Sequence, residues 1–286
     1  MEKCENEPDY LFPNSADEAN RLRMQHHVSK FIWKGNNFNT PLKKKFKAGG
    51  LRVLDVGCGS GGWLFDMSCE YSNCTFVGVD ISITFNEELR PKNLGFIQCN
   101  ALHGLPFFDN TFDFVFQENM FMAWKESDWP IIIKDMLRCV KSNGWIELME
   151  GAYDFKNVGP TMKRLLDATK KRFISKGINL NIKPCLKGFL EATGELESEV
   201  IINETIAPLW GSNLGAVAFK IFRNAHTYIG MNEYMGISQS SFEEMFDIIA
   251  KEVEENQTYV KKRRIKSHDC KSTNDFGSTL FKDQTK

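Results

Sequence analysis

The chain has 286 residues, which suits one α/β domain with an elaborated half better than two full domains. With 42% hydrophobic and 26% charged residues, its composition is that of a folded globular protein and excludes a collagen-like, coiled-coil or wholly disordered chain. The 36 basic and 37 acidic residues nearly balance, so no overall field draws the chain to nucleic acid or anionic lipid. We therefore expect no specific nucleic-acid partner and no membrane association.

The eight cysteines are scattered along the chain, with neither a C-x-x-C pair nor the spacing of an extracellular disulfide framework. This usage favours reduced thiols. The polar start, residues 1–9, lacks the apolar core of a signal peptide, and no apolar run reaches the length of a membrane span. These features predict a cytoplasmic or nuclear protein.

The first half of the chain alternates between helical and strand patterns. A leading helix is predicted over residues 14–33, with Asn14 or Ser15 as its cap. A β-α-β unit follows: strand 51–56, a glycine turn, helix 62–71 and strand 75–80. The later predictions in this half are strands 94–98, 112–117 and 144–150 and a helix over 129–140. Such alternation indicates a mainly parallel sheet.

The second half is less regular. It is predicted to contain helices over residues 159–176, 186–193, 214–228 and 240–255 and strands over 198–206 and 259–266. We divide the chain into an N-terminal helical lid (1–48), a ligand-binding domain (49–266) and a polar, disordered tail (267–286).

The glycine turn after the first strand satisfies two patterns, G-x-G-x-G through Gly57, Gly59 and Gly61 and the dinucleotide pattern G-x-G-x-x-G through Gly62. The glycines alone do not distinguish the two. Asp55 does, because a carboxylate beside the turn favours a cationic ligand such as S-adenosylmethionine over a pyrophosphate. Asp80, at the tip of the next strand, is placed to accept hydrogen bonds from ribose hydroxyls in either case.

The segment Val53–Gly61 resembles motif I of class I S-adenosylmethionine-dependent methyltransferases, and the resemblance continues through Leu105–Val115 and Met136–Trp145. Within the class, the chain is most similar to fungal methyltransferases of the secondary-metabolism regulator type. That similarity depends on Tyr10, Pro13, Arg21-Leu22, Gln25-His26 and Trp210-Gly211-Ser212-Asn213-Leu214-Gly215. It implies a Rossmann-like α/β fold: a mainly parallel seven-stranded sheet, helices on both faces and a helical N-terminal lid.

The resemblance also implies roles for individual residues. Asp55 and Gly57 would serve the methionine end of the cofactor, Asp80 the ribose, Asn100 with Ala101 the adenine, and Gln117 would border the methyl donor. The predicted cofactor-binding residues are Asp55, Gly57, Cys58, Gly59, Gly61, Asp80, Ile81, Asn100, Ala101 and Gln117. Asn100 stands where the family often has aspartate, but its amide oxygen can still accept a hydrogen bond from the adenine amino group.

Methyl transfer from a sulfonium mainly requires orientation, so a catalytic base is optional. Glu118, His103 and His26 are the candidates if the acceptor must lose a proton, but packing or hydrogen bonding is the favoured role for both histidines. We assign no catalytic residue. No metal-ligand cluster is evident in the sequence, so we predict metal-independent catalysis.

The acceptor should bind beside elements that cover the carboxyl ends of the strands. Phe121, Met122, Trp124, Tyr153 and Trp210 occur in such segments and predict a partly apolar acceptor pocket. The basic run 261–264 is either an edge strand protected by charge, which we favour, or a nuclear import signal.

Three functions fit the sequence. The first is a methyltransferase whose acceptor is a small molecule, slightly favoured over a protein side chain. The second is a regulatory protein that keeps the fold for binding S-adenosylmethionine or for forming a complex with a protein partner, without turnover. The third, an NAD-dependent oxidoreductase, depends only on the ambiguity of the glycine spacing.

Overall fold

The computed structural model describes residues 10–82, 90–151, 153–196 and 198–268. The polar start and the tail from residue 269 onward lie outside the described residues, so the prediction of a disordered tail is not tested beyond that point. Across the part of the chain that is described, no helix is long and apolar enough to cross a membrane.

One sheet organises the molecule. Its strands are β1 Arg52–Val56, β2 Thr75–Asp80, β3 Leu94–Gln98, β4 Phe112–Glu118, β5 Val140–Glu150, β6 Phe155–Lys156, β7 Ile201–Pro208 and β8 Tyr259–His268. The order β3-β2-β1-β4-β5 is parallel throughout, and β8 then runs antiparallel to β5, with both β6 and β7 paired to β8. The mainly parallel sheet is confirmed. The predicted number of seven strands is wrong, because the two-residue β6 makes an eighth.

The described helices are α1 Ala16–Ile32, α2 Lys43–Ala48, α3 Gly62–Glu70, α4 Trp129–Cys139, α5 Pro160–Ile174, α6 Lys183–Ala192, α7 Asn213–Tyr228, α8 Met231–Tyr234 and α9 Gln239–Asn256. The leading helix begins as the sequence predicts, because the Ser15 side chain accepts a hydrogen bond from the Glu18 backbone N–H at 3.2 Å. The short helices α2 and α8 were not predicted.

Alternate residues of β1 bury against helices on opposite faces of the sheet. Val53 packs in a cluster with Trp63 and Met67 of α3, whereas Leu54 packs in a second cluster with Ile133 of α4. This alternation follows from the two-residue repeat of a strand. The predicted helices on both faces are therefore confirmed.

A third apolar cluster forms where the second half of the chain folds over the sheet. Phe173 of α5, Phe222 of α7 and Phe246 of α9 belong to it, and Tyr153, between β5 and β6, joins them. This cluster lies beyond the carboxyl end of β5, at the same edge of the sheet as the glycine turn after β1.

The basic run 261–264 lies within β8, as we favoured. Its placement at a sheet edge is wrong, because β8 pairs with β5 on one side and with β7 on the other. Arg264 is only 1% exposed and stacks on Trp33, with its guanidinium carbon 4.6 Å from the ring centre. The run is an interior strand whose cations point into the protein at alternate positions.

Candidate active site

The glycine turn is held tightly against β2. The backbone N–H groups of Gly57 and Cys58 both donate to the Val79 carbonyl, at 2.8 and 3.0 Å, and the Gly59 N–H donates to an Asp80 carboxylate oxygen at 2.8 Å. Gly57 and Gly59 have φ angles of 74° and 52°, in the left-handed region that glycine adopts without strain. The turn therefore requires glycine for its conformation.

Close approach adds a second requirement at two of the glycines. A Cβ on Gly57 would lie 2.4 Å from the sulfur of Met120, which follows β4. A Cβ on Gly61 would lie 2.7 Å from the ring of Phe96. Gly61 begins α3 and is thus a packing position between helix and sheet, whereas Gly57 opens onto the space above the strand ends.

A cavity lies above this turn. Eight of the ten predicted cofactor-binding residues line it: Asp55, Gly57, Cys58, Gly59, Asp80, Ile81, Asn100 and Ala101. We call it the first cavity. The structure thus brings together residues from the ends of β1, β2 and β3, although their binding roles remain predictions.

Gly61 and Gln117 lie outside the lining of the first cavity. Gln117 is fully buried, and its amide donates to the carboxylate of Glu150, which also accepts from the backbone N–H groups of Met120 and Phe121. Burial raises the pKa of Glu150 to about 8, against the opposing effect of these three hydrogen bonds. Gln117 therefore helps to hold the loop after β4, and its place beside the methyl donor stays a prediction.

Asp55 is the most unusual charge at the site. Its side chain is 3% exposed and lines the first cavity, and within the described ranges neither a cation nor a hydrogen-bond donor contacts the carboxylate. Burial raises its pKa well above the usual value, and the nearby carboxylates of Glu118 and Asp80 raise it further. A positively charged ligand group would stabilise the ionised form of Asp55, so this carboxylate fits an ammonium.

Asp80 and Asn100 are both fixed by backbone donors. The Asp80 carboxylate accepts from Gly59 and, at 2.8 Å, from Ser82, and burial raises its pKa despite these bonds. The Asn100 side-chain oxygen accepts from the Leu102 N–H at 3.0 Å and caps a short 3-10 helix. Each of these oxygens retains a lone pair for a further donor.

The three candidate bases are not equivalent. Glu118, at the end of β4, lines the first cavity and accepts from the Asn119 amide at 2.7 Å. His26 also lines it, but its Nε2 lies 2.9 Å from an Asp66 carboxylate oxygen. His103 is exposed and lines neither the first cavity nor the second cavity described below. The structure therefore leaves Glu118 as the best placed of the three.

His26, His27 and Asp66 bring three metal-ligating atoms within 4.8 Å of one another. This group could not be predicted from the sequence, because Asp66 is 40 residues from His26. Lys30 already contacts the same Asp66 oxygen at 2.7 Å. Although burial acts in the opposite direction, hydrogen bonds from His26 and Lys30 hold the pKa of Asp66 below its usual range. The Lys30–Asp66 ion pair, with His26 bonded to the same oxygen, links α1 to α3.

A second cavity adjoins the first. The two share lining residues, namely Tyr10, Leu22, Gln25, Asn119 and Ala123. Aromatic and aliphatic side chains dominate its walls, including the predicted Phe121, Met122 and Tyr153. Trp124 lines the first cavity instead, and Trp210 packs against the third apolar cluster.

Besides Arg21, Gln25 and Asn119, two further polar groups interrupt these apolar walls. The first is His226, which is 2% exposed. Its Nδ1 donates to the Phe222 carbonyl at 2.7 Å, so its Nε2 accepts a hydrogen bond from the Tyr153 hydroxyl. Burial lowers the pKa of His226 to about 4, so the ring is neutral. The second group is Lys262 of β8. Sequence reasoning missed both, because nothing near them in the chain marks a pocket.

Comparison with known proteins agrees with this geometry. Residues 53–144 match the family described as a methyltransferase domain. The methyltransferase pytC of Aspergillus terreus is 32% identical over 143 residues, which cover 49% of this chain and 41% of that protein. The N-methyltransferase sirN of Leptosphaeria maculans is 26% identical over 227 residues, covering 76% of this chain and 78% of that protein.

The secondary metabolism regulator laeA of Coprinopsis cinerea is 30% identical over 122 residues, covering 43% of this chain and 27% of the relative. The chain thus spans less than half the length of pytC and of this regulator. Among solved structures, phospholethanolamine N-methyltransferase 2 of Haemonchus contortus, in complex with phosphomonomethylethanolamine and S-adenosylhomocysteine, matches with a TM-score of 0.54. The match covers 95% of this chain and 62% of that one at 16% identity, and it shows the fold alone.

These matches confirm the predicted resemblance to fungal methyltransferases, secondary-metabolism regulators included. Residues 53–144 match the methyltransferase-domain family, and the chain has a Rossmann-like fold similar to that of the solved methyltransferase structure.

Proposed function

We propose that this chain binds S-adenosylmethionine in the first cavity and transfers its methyl group to a small molecule held in the second. The observation that carries the proposal is the shared wall of the two cavities, where Tyr10, Leu22, Gln25, Asn119 and Ala123 face both. A donor in one cavity and an acceptor in the other would meet at this junction. Relatives named methyltransferases support the same activity.

The first cavity fits this cofactor better than a dinucleotide. The unpaired, buried carboxylate of Asp55 would hold the ammonium of the methionine end, whereas it would repel a pyrophosphate. Asp80 would accept hydrogen bonds from the ribose hydroxyls, and Asn100 with Ala101 would lie beside the adenine. When bound, the cofactor supplies an electrophilic methyl group on a sulfonium.

The chain's own contribution is to orient the acceptor and to exclude water. The apolar second cavity is lined by α1, the loop after β4 and α7, so these elements enclose an acceptor on several sides. Such enclosure favours a small molecule over a side chain of another protein. Glu118, which lines the first cavity beside the junction residue Asn119, can accept a proton from a hydroxyl or amine acceptor.

The test is calorimetric titration with S-adenosylmethionine, S-adenosylhomocysteine and NAD. We expect saturable binding of the first two and none of NAD. Asp80→Ala and Gly59→Arg should abolish binding, while Asp167→Ala, which removes an exposed carboxylate of α5, should leave it unchanged. Folded protein that binds neither S-adenosyl compound, or that binds NAD instead, would overturn the proposal.

The similarity to a secondary metabolism regulator favours one alternative, a protein that binds the cofactor without turnover. Incubation with methyl-labelled S-adenosylmethionine and a small-molecule extract distinguishes the two. Label in an organic-soluble product supports the methyltransferase. Cofactor binding without labelled small molecule or protein supports the regulator.

A further inference from the structure

The second cavity contains a cation among apolar walls. Lys262, on the central strand β8, lines this cavity, and its ammonium donates to the Ser29 hydroxyl of α1 at 2.8 Å. A neutral hydroxyl satisfies one of its three N–H groups and none of its charge. Over the described ranges, no carboxylate oxygen lies within 4 Å of this ammonium.

The other buried cations near this cavity already have carboxylate partners. Arg21 donates twice to Glu18, at 2.6 Å each, and Arg264 lies 3.5 Å from Glu147. Their charges are therefore compensated within the protein. Lys262 differs from both, because its positive charge faces the cavity with a hydroxyl as its hydrogen-bond partner.

We propose that Lys262 is an anion-binding residue for the methyl acceptor, so that the acceptor has an apolar body and an acidic group such as a carboxylate. The inference rests on the proposed function, because it takes the second cavity as the acceptor site. Phe12, Phe155 and Phe222 line the same cavity and would surround the apolar body. The acidic group would occupy the end of the cavity where β8 meets α1.

The electrostatics of the site agree with this assignment. Burial lowers the pKa of Lys262; the carboxylates of Glu118 and Glu150 oppose this change, and the smaller effects of the Arg264 and Arg21 cations add to it. An ammonium without a directly paired carboxylate in a largely apolar cavity is costly, and an anionic ligand lowers that cost by pairing with it. An uncharged ligand of the same shape does not.

The experiment compares two probes of nearly equal shape, 2-naphthoate and 2-naphthamide, by calorimetry in the presence of saturating S-adenosylhomocysteine. We expect wild-type protein to bind the carboxylate at least tenfold more tightly than the amide. Lys262→Met should remove this preference, whereas Lys262→Arg should keep it. Lys261→Met is the matched control, because it removes the neighbouring cation of β8 and should leave the preference unchanged.

Thermal unfolding and S-adenosylhomocysteine binding of each variant show whether the fold and the first cavity are intact. Equal affinities for the two probes, or a preference that survives in a folded Lys262→Met variant, would overturn the assignment. If the cofactor product fails to bind while a preference dependent on Lys262 is still measured, the proposed function fails and the anion site stands. The two failures are thereby separated.

Discussion

Acid should destabilise this protein in a way that depends on one histidine. His226 is buried and neutral, its Nδ1 donating to Phe222 and its Nε2 accepting from Tyr153. Its pKa is about 4 in the folded protein against an ordinary 6.5. A second proton on Nε2 would have to displace the Tyr153 hydroxyl proton within an apolar cluster. The folded state therefore resists protonation that the unfolded chain accepts.

The sign of the effect follows from linkage. Because the folded pKa lies below the unfolded pKa, the contribution of His226 is fully present above about pH 6.5 and is lost as the pH falls toward 4. The difference of 2.5 between the two values corresponds to roughly 3 kcal/mol at full development. Between about pH 7.5 and pH 5, it amounts to about 2 kcal/mol.

The assay is urea unfolding at these two pH values. Wild-type protein should lose about 2 kcal/mol more of its unfolding free energy than His226→Phe does over the same interval. The variant is less stable at neutral pH because Tyr153 loses its partner, but its pH dependence should be flatter. The exposed His103→Asn serves as the control and should keep the wild-type dependence. Equal pH dependence in wild type and His226→Phe would refute the reasoning.

Two further perturbations test other parts of the structure. Gly57→Ala should cost about 1–2 kcal/mol of unfolding free energy, measured by urea unfolding, because the φ of 74° at this position is left-handed. The added methyl group should also push Met120 into the first cavity and weaken S-adenosylhomocysteine binding at least tenfold. Adding Met120→Ala should restore binding but not the backbone cost; no recovery would contradict the steric part of the argument. Arg264→Met should cost about 3 kcal/mol of thermal stability, because it leaves the buried Glu147 carboxylate without its cation. The double variant with Glu147→Gln should recover much of that loss, and additive costs would exclude the pairing.

Much of the first half of the fold could be predicted from the sequence, because its elements carry their own local signals. The strand Thr75–Asp80 is apolar and ends at an acidic residue, and the helix Ala16–Ile32 has a serine cap and first-turn acids. The helix Lys43–Ala48 was missed because a single apolar residue, Phe46, shows no helical period. A two-residue strand such as β6 leaves no pattern at all.

The site residues near strand ends could also be predicted, whereas those that only tertiary packing brings to the site could not. Asp55 and Asp80 could be predicted because each lies at or next to the carboxyl end of its strand, at the same edge of a parallel sheet. The contact between Gln117 and Glu150 could not be predicted, because the two residues are 33 apart in the chain and meet only in the folded protein. His226 and Lys262 reach the second cavity from α7 and β8, and only tertiary packing brings those elements together.

Helix α1 has a consequence for how the two ligands influence each other. Its residues Leu22 and Gln25 face both cavities, and it is fastened by Lys30 to Asp66 and by Ser29 to Lys262. A ligand in either cavity that orders this helix lowers the conformational entropy that is lost when the other ligand binds. Donor and acceptor should therefore bind with positive heterotropic coupling, and by reciprocity each should raise the affinity of the other by the same factor.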